Sequence, residues 1–154
     1  GRGADIALYT GNDDNIIPDL LTEFDVGAGK PARIVGGLLG QWAVWTHRAV
    51  RMLRDIQAQR AAGTLDITAW LRVGAQLTDA NAAIFDAAYG FRGCIPGIHE
   101  VLRRQGLLQG TWCLDPALEL SPGQAAEIER VYRRYPHLND DAFVVQNGEG
   151  FLGN

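Results

Sequence analysis

Lysine is almost missing from this chain: Lys30 is the single lysine among fourteen Lys and Arg residues. With eighteen Asp and Glu the formal net charge is −4, a balance that argues against a polyanion such as nucleic acid as partner. Cysteine is also scarce. Cys94 and Cys113 are far apart and form no CxxC pair, which excludes a disulfide framework and a cysteine-rich zinc site and predicts two free thiols in a reducing compartment. The three histidines, His47, His99 and His137, have no ligand-spaced neighbours, and His99-Glu100 lacks the second His of an HExxH helix. No metal and no cofactor is expected. Long apolar runs are absent too: residues 34–39 (IVGGLL) are typical, far below the roughly 20 residues a bilayer requires, and no charged start followed by an apolar stretch opens the chain. The expectation is a cytoplasmic protein with no membrane partner. Methionine does not begin the sequence, and Gly1-Arg2-Gly3 just ahead of a strand-like run reads as a cut.

What is present is ordinary globular material. The 154 residues, 47% of them hydrophobic, suit one domain or a piece of a larger one, and a domain of this size buries roughly 70% of its unfolded surface. Residues 5–9 read as a short buried strand, and residues 15–24 (NIIPDLLTEF) place Ile16, Ile17, Leu20, Leu21 and Phe24 at helical spacing. Residues 25–33 (DVGAGKPAR) form a Gly and Pro loop, and residues 34–39 a second, glycine-rich strand ended by Gly40. Two long amphipathic helices follow, over residues 42–62 and 66–89, then a shorter one over 95–107 with Pro96 in its first turn. Ser121-Pro122-Gly123-Gln124 is a helix start, with Gln124 placed to satisfy an orphan amide of a helix running to about Tyr135. The tail, 146–154, is polar and glycine-rich and is expected to be loosely ordered.

The fold class is therefore α/β, mostly α in this chain, with two βα units over residues 1–62 and a helical region over 63–154. Two parallel strands make a poor sheet alone, so strands are expected to be missing upstream. In such proteins the loops leaving the strand C-termini carry the site, which draws attention to Thr10, Gly11, Asn12, Asp13 and Asp14. Gly11 permits a tight turn, and Asp13 or Asp14 is placed to cap the following helix; turn and cap alone also account for the pattern. VGAGKPA (26–32) lacks the GK[ST] ending of a phosphate loop, since Pro31 follows Lys30. Lys30, flanked by Gly and Pro, reads as a solvated loop residue rather than a Schiff-base amine. Arg48, Arg51 and Arg54 form a solvated basic stripe. Asn81 interrupts an apolar helix face, so it is either hydrogen-bonded core or close to a ligand.

LYTGND (8–13) resembles the turn that ends the seventh barrel strand in the dihydrodipicolinate synthase and N-acetylneuraminate lyase family, and GGLLGQWAVWTHRAVRML (36–53) is similar to the eighth strand and its helix. FRGCIPGIHEVLRRQGLL (91–108), followed by LSPGQAAEIERVYRRY (120–135), resembles the family's C-terminal helices. The order of the motifs carries the resemblance, over residues 6–143. It implies the C-terminal part of a (β/α)8 barrel, homo-oligomeric as a complete protein, that condenses or cleaves pyruvate or a related 2-oxo acid through a lysine Schiff base. That lysine and the proton-relay tyrosine would lie upstream of Gly1, leaving this chain without turnover of its own. Thr10, Gly11 and Asn12 would border the substrate from strand seven, and Leu39 and Gly40 from strand eight. Thr10 and Asn12 stand where the family commonly has Ser and Asp, and residues 25–33 make a longer link than usual. The competing expectation is a helical protein-interaction module without catalytic activity.

Overall fold

The computed structural model describes residues 6–27, 29, 31–38 and 40–152, the last two of these in backbone only. Among them are six α-helices and one three-stranded mixed sheet, an α/β arrangement dominated by helix. The first strand, β1 (Leu8–Thr10), leads through a 3-10 turn (Asp13–Asn15) into α1 (Ile16–Leu21), whose buried Ile16, Ile17 and Leu20 follow the predicted spacing. The predicted helix continues to residue 24, but Thr22 leaves helical geometry and Glu23–Asp25 form β2. Phe24 thus belongs to a strand.

The predicted loop over 25–33 is corrected in the same way, because β3 spans Pro31–Gly37 and its first three residues pair antiparallel with β2. A side-chain contact between Glu23 and Arg33 links the two strands. Gly27, at φ +84°, turns the hairpin while its amide donates to Asp25 Oδ1 at 2.9 Å. Lys30 lies outside the described residues, as do Asp5 and Leu39. Strand β1 pairs parallel with the rest of β3, Leu8 opposite Ile34 and Thr10 opposite Gly37, with a register slip that leaves Val35 as the extra residue. The strand order is β1-β3-β2.

After a buried 3-10 turn (Gly40–Ala43) come α2 (Thr46–Ala61), α3 (Ile67–Ile84) and α4 (Cys94–Arg104). The side chain of Asp66 caps α3 by accepting from the Ala69 amide at 2.9 Å. The predicted long second helix is broken after Ile84, where Asp86 takes a left-handed conformation and Ala87–Tyr89 form a separate 3-10 turn. Gln124–Arg134 form α5, with Gln124 Oε1 accepting from the Ser121 amide as its spacing predicts.

Beyond α5, residues 146–152 of the predicted loose tail belong instead to α6 (Asp141–Leu152), and residues 153 and 154 lie outside the described residues. Its anchors are distant in sequence: Asp140 accepts from the amides of His47 and Arg48, both at 2.8 Å, and so caps α2, while Phe143 stacks on His47 at 4.1 Å. Local pattern carries no trace of either contact. One apolar core runs through both regions, joining Ile16, Ile17, Leu20, Trp45 and Ile56 to Ile84, Val101, Ile128, Val131 and Leu138.

Candidate functional site

Because β1 and β3 are parallel neighbours, their C-terminal ends lie side by side, and the Leu38 amide donates to the Thr10 carbonyl at 3.3 Å just past the last pair. From that level one chain turns through Gly11 and Asn12 into α1, and the other through Gly40 and Gln41 into α2. Gly37 has no room for a side chain: a Cβ there would lie 2.9 Å from the Trp42 ring and 3.1 Å from Ile16. The close approach of strand and helix at this end requires that glycine.

Thr10 is only 5% exposed. Its hydroxyl donates to the Asp19 carboxylate and accepts from the Asn12 amide at 3.1 Å, so it closes the turn instead of facing open space. Gly11 and Asn12 are exposed beside it. Asp13 and Asp14 do not cap α1 with their side chains, contrary to the expectation; Asp13 Oδ1 accepts from the Asp14 amide at 3.1 Å, and the two backbone carbonyls point to α3.

The element that gathers the two loops is α3. Asn81, 3% exposed, accepts from the Gln41 amide and donates to the Asp13 carbonyl, each at 3.0 Å. Of the two sequence readings for Asn81 the structure shows the hydrogen-bonded one. Gly40 is buried against it at φ +75°, and a Cβ there would lie 2.8 Å from Asn81 Oδ1 and 2.9 Å from Asp13 Cβ. Gly11, Asn12 and Gly40, assigned to one site by resemblance, are thus brought to one end of the sheet. Gln41, not singled out in the sequence, is buried there too, its Oε1 without a hydrogen-bond partner among the described residues. Spacing alone carries no signal for it, because its burial depends on tertiary packing.

Among the described residues this end is a polar rim whose hydroxyl, that of Thr10, is engaged by Asp19 and the Asn12 amide. Burial, with Asp13 and Asp86 nearby, pushes the Cys94 thiol up, which keeps it protonated at neutral pH. Cys113 sits elsewhere, 3.8 Å from His99 Nδ1, and no group of three or more metal-capable side chains occurs among the described residues. A recess of about 410 Å³ between α3 and α5 is lined by Asp79, Asp86, Gln124 and Arg130. Those side chains are engaged within the fold: Arg130 holds Asp79 through two bonds of 2.8 Å, and Asp86 accepts from Ser121 Oγ at 2.6 Å and the Gly93 amide at 2.8 Å. No described helix is long and apolar enough to cross a membrane. Comparison with protein-family models, with curated proteins and with solved structures returns no match to this chain.

Proposed function

We propose that this chain is the C-terminal portion of a (β/α)8-barrel lyase or aldolase that holds pyruvate or a related 2-oxo acid as a Schiff base on a lysine upstream of Gly1. The observation that carries the reading is the pair of parallel strands whose C-terminal ends meet at a shared polar rim, the place where barrel enzymes build their sites. Two further features support it. Tyr9, Val35 and Leu38 leave apolar side chains exposed on the strands and at their ends, which suits a sheet packed on by further strands. The outer edge of β1 and that of residues 34–37 of β3 have no strand partner among the described residues, leaving both edges a closing barrel needs.

In this reading Gly11, Asn12 and Gly40 border the oxo acid and shape its pocket, with Leu39 alongside, while Thr10 fixes the strand-seven turn through Asp19. None of them attacks the substrate. The complete protein is a cytoplasmic homo-oligomer, and α3 to α6 back the barrel from outside.

The test is borohydride trapping. A polypeptide extended upstream through its reading frame, incubated with pyruvate and sodium borohydride, should gain one pyruvyl adduct on a lysine upstream of residue 1, and the 154-residue chain should show neither adduct nor turnover. An adduct on Lys30, or turnover by the short chain, would overturn the placement of the lysine. A stop codon directly upstream would replace the enzyme with the helical interaction module.

A further inference from the structure

Three positions of α3, one helical turn apart, meet α1 and the strand-end loops. Gly74 lets the helix approach α1, where a Cβ would lie 3.3 Å from Ile17 Cβ. One turn on, Thr78 Oγ1 donates to the Asp14 carbonyl at 2.8 Å. After another turn comes Asn81, which holds one loop with its oxygen and the other with its nitrogen. The spacing 74, 78, 81 is that of a single helix face. The amide orientation of Asn81 follows from its partners, since the Gln41 N–H can only donate and the Asp13 carbonyl can only accept.

These contacts have an asymmetry that can be used. The loop after β3 depends on the acceptor of Asn81, and the loop after β1 on its donor. At the strand ends the Leu38 amide donates to the Thr10 carbonyl at 3.3 Å; beyond that level the second loop meets Asp13 at Gly40 by packing, and Asn81 is the side chain that bonds both loops. Past the last strand bond, the separation of the two rims is therefore set by the width of one amide group on a helix outside the βα units. We infer that Asn81 is a positioning residue, through which α3 fixes the geometry of the rim; its link to substrate rests on the 2-oxo acid reading above, whereas the coupling of the loops does not. A ligand that presses the rims apart must work against α3, so the helical region controls how tightly the site closes.

Asn81→Asp separates the two halves of the clamp. The carboxylate still accepts from the Gln41 amide but cannot donate to the Asp13 carbonyl, and it faces the Asp14 carboxylate, whose Oδ1 lies 3.5 Å from the present Nδ2. Amide-resolved hydrogen exchange on the 154-residue chain reads the result, with the Val131 amide of α5 as the reference for global opening. Asn81→Asp should speed exchange at Asn15, whose amide closes the first turn on Asn12, by tenfold or more, while Gln41 stays within threefold of wild type. Asn81→Leu should speed both. Equal changes at Asn15 and Gln41 in the Asp variant, or no change at either, would overturn the inference and make Asn81 a space-filling core residue. In the extended polypeptide, Asn81→Asp should raise KM for pyruvate tenfold with kcat within threefold; a fall in kcat at unchanged KM would overturn the positioning role. Failure of borohydride trapping with the exchange split intact would overturn the 2-oxo acid reading alone, and trapping without the split would overturn the role of Asn81 alone.

Discussion

The two ends of this chain solve burial differently. From α3 onward the helices pack closely on one another: Ile84, Val101, Ile128 and Val131 are fully buried and polar side chains cross-link the helices, while Trp112, Leu114 and Val145 stay exposed. The sheet is closed on one side only, where Thr10, Gly37 and Ile34 meet helices, while Tyr9, Val35 and Leu38 on the strands and at their ends stay 49 to 66% exposed. A helix bundle completes its core with local partners. A parallel sheet needs a second layer, and the described residues supply just one.

The strongest way to break the comparison is to attack the closed end where it has no slack. Gly97 packs so tightly that a Cβ would lie 1.9 Å from the Ile84 carbonyl oxygen and 2.7 Å from Gln124 Nε2. Backbone cannot yield as a flexible side chain does, so Gly97→Val should cost about 4 kcal/mol or more in urea unfolding, enough to leave a marginal domain unfolded. Ile128→Ala follows, at about 2–5 kcal/mol for a cavity in a fully packed site. A loss below about 1 kcal/mol at Ile128 would mean that the helical end is no better packed than the sheet.

The same end carries an acid sensitivity. Hydrogen bonds from Arg103 and then Arg104 hold the Glu100 carboxyl below the ordinary range, and one from Arg130, with a smaller contribution from Tyr135, does so for Asp79. A carboxylate whose folded pKa is depressed stabilises the fold above its unfolded pKa, about 4 for these groups, and loses that contribution as pH falls through the folded value. The urea midpoint should therefore fall between pH 5 and pH 3, and the double variant Asp79→Asn, Glu100→Gln should show a flatter slope over that window. An unchanged slope would place the acid response elsewhere.

The sequence spoke clearly where structure is local and weakly where it is not. Buried Ile16, Ile17 and Leu20 and the Ser121 to Gln124 start could be read from spacing because each acts within a few residues of itself, whereas β3 ends at Gly37 and Gly40 opens the 3-10 turn that follows. Strand β2 was missed because three residues of Glu-Phe-Asp have no strand signal until β3 offers them a partner. Helix α6 was missed because its hold on the fold runs through Asp140 and His47, some ninety positions apart in the chain. At the candidate site, Gly11, Asn12 and Gly40 came from motif order, while the Asn81 clamp appears only when α3 is laid across both loops. Burial of an Asn pointed to a partner but could not say which.

The smallest expected effect sharpens the comparison most. Val35 is 49% exposed and is the extra residue of the β1–β3 pairing, so Val35→Thr changes a methyl into a hydroxyl without changing shape or strand preference. In the 154-residue chain the hydroxyl stays in water, and the unfolding free energy should move by no more than about 0.5 kcal/mol. In the extended polypeptide, a second layer over Val35 would make the same substitution bury an unpaired hydroxyl at a cost of about 1–3 kcal/mol. The difference between the two polypeptides, free of any assay of activity, measures whether a second layer covers the sheet. Equal, small effects in both would leave the face open to water, and the contrast between a closed helical end and an unfinished sheet would then be a property of the whole protein. A large effect already in the short chain, growing with protein concentration, would mean that copies of the chain cover the face for one another.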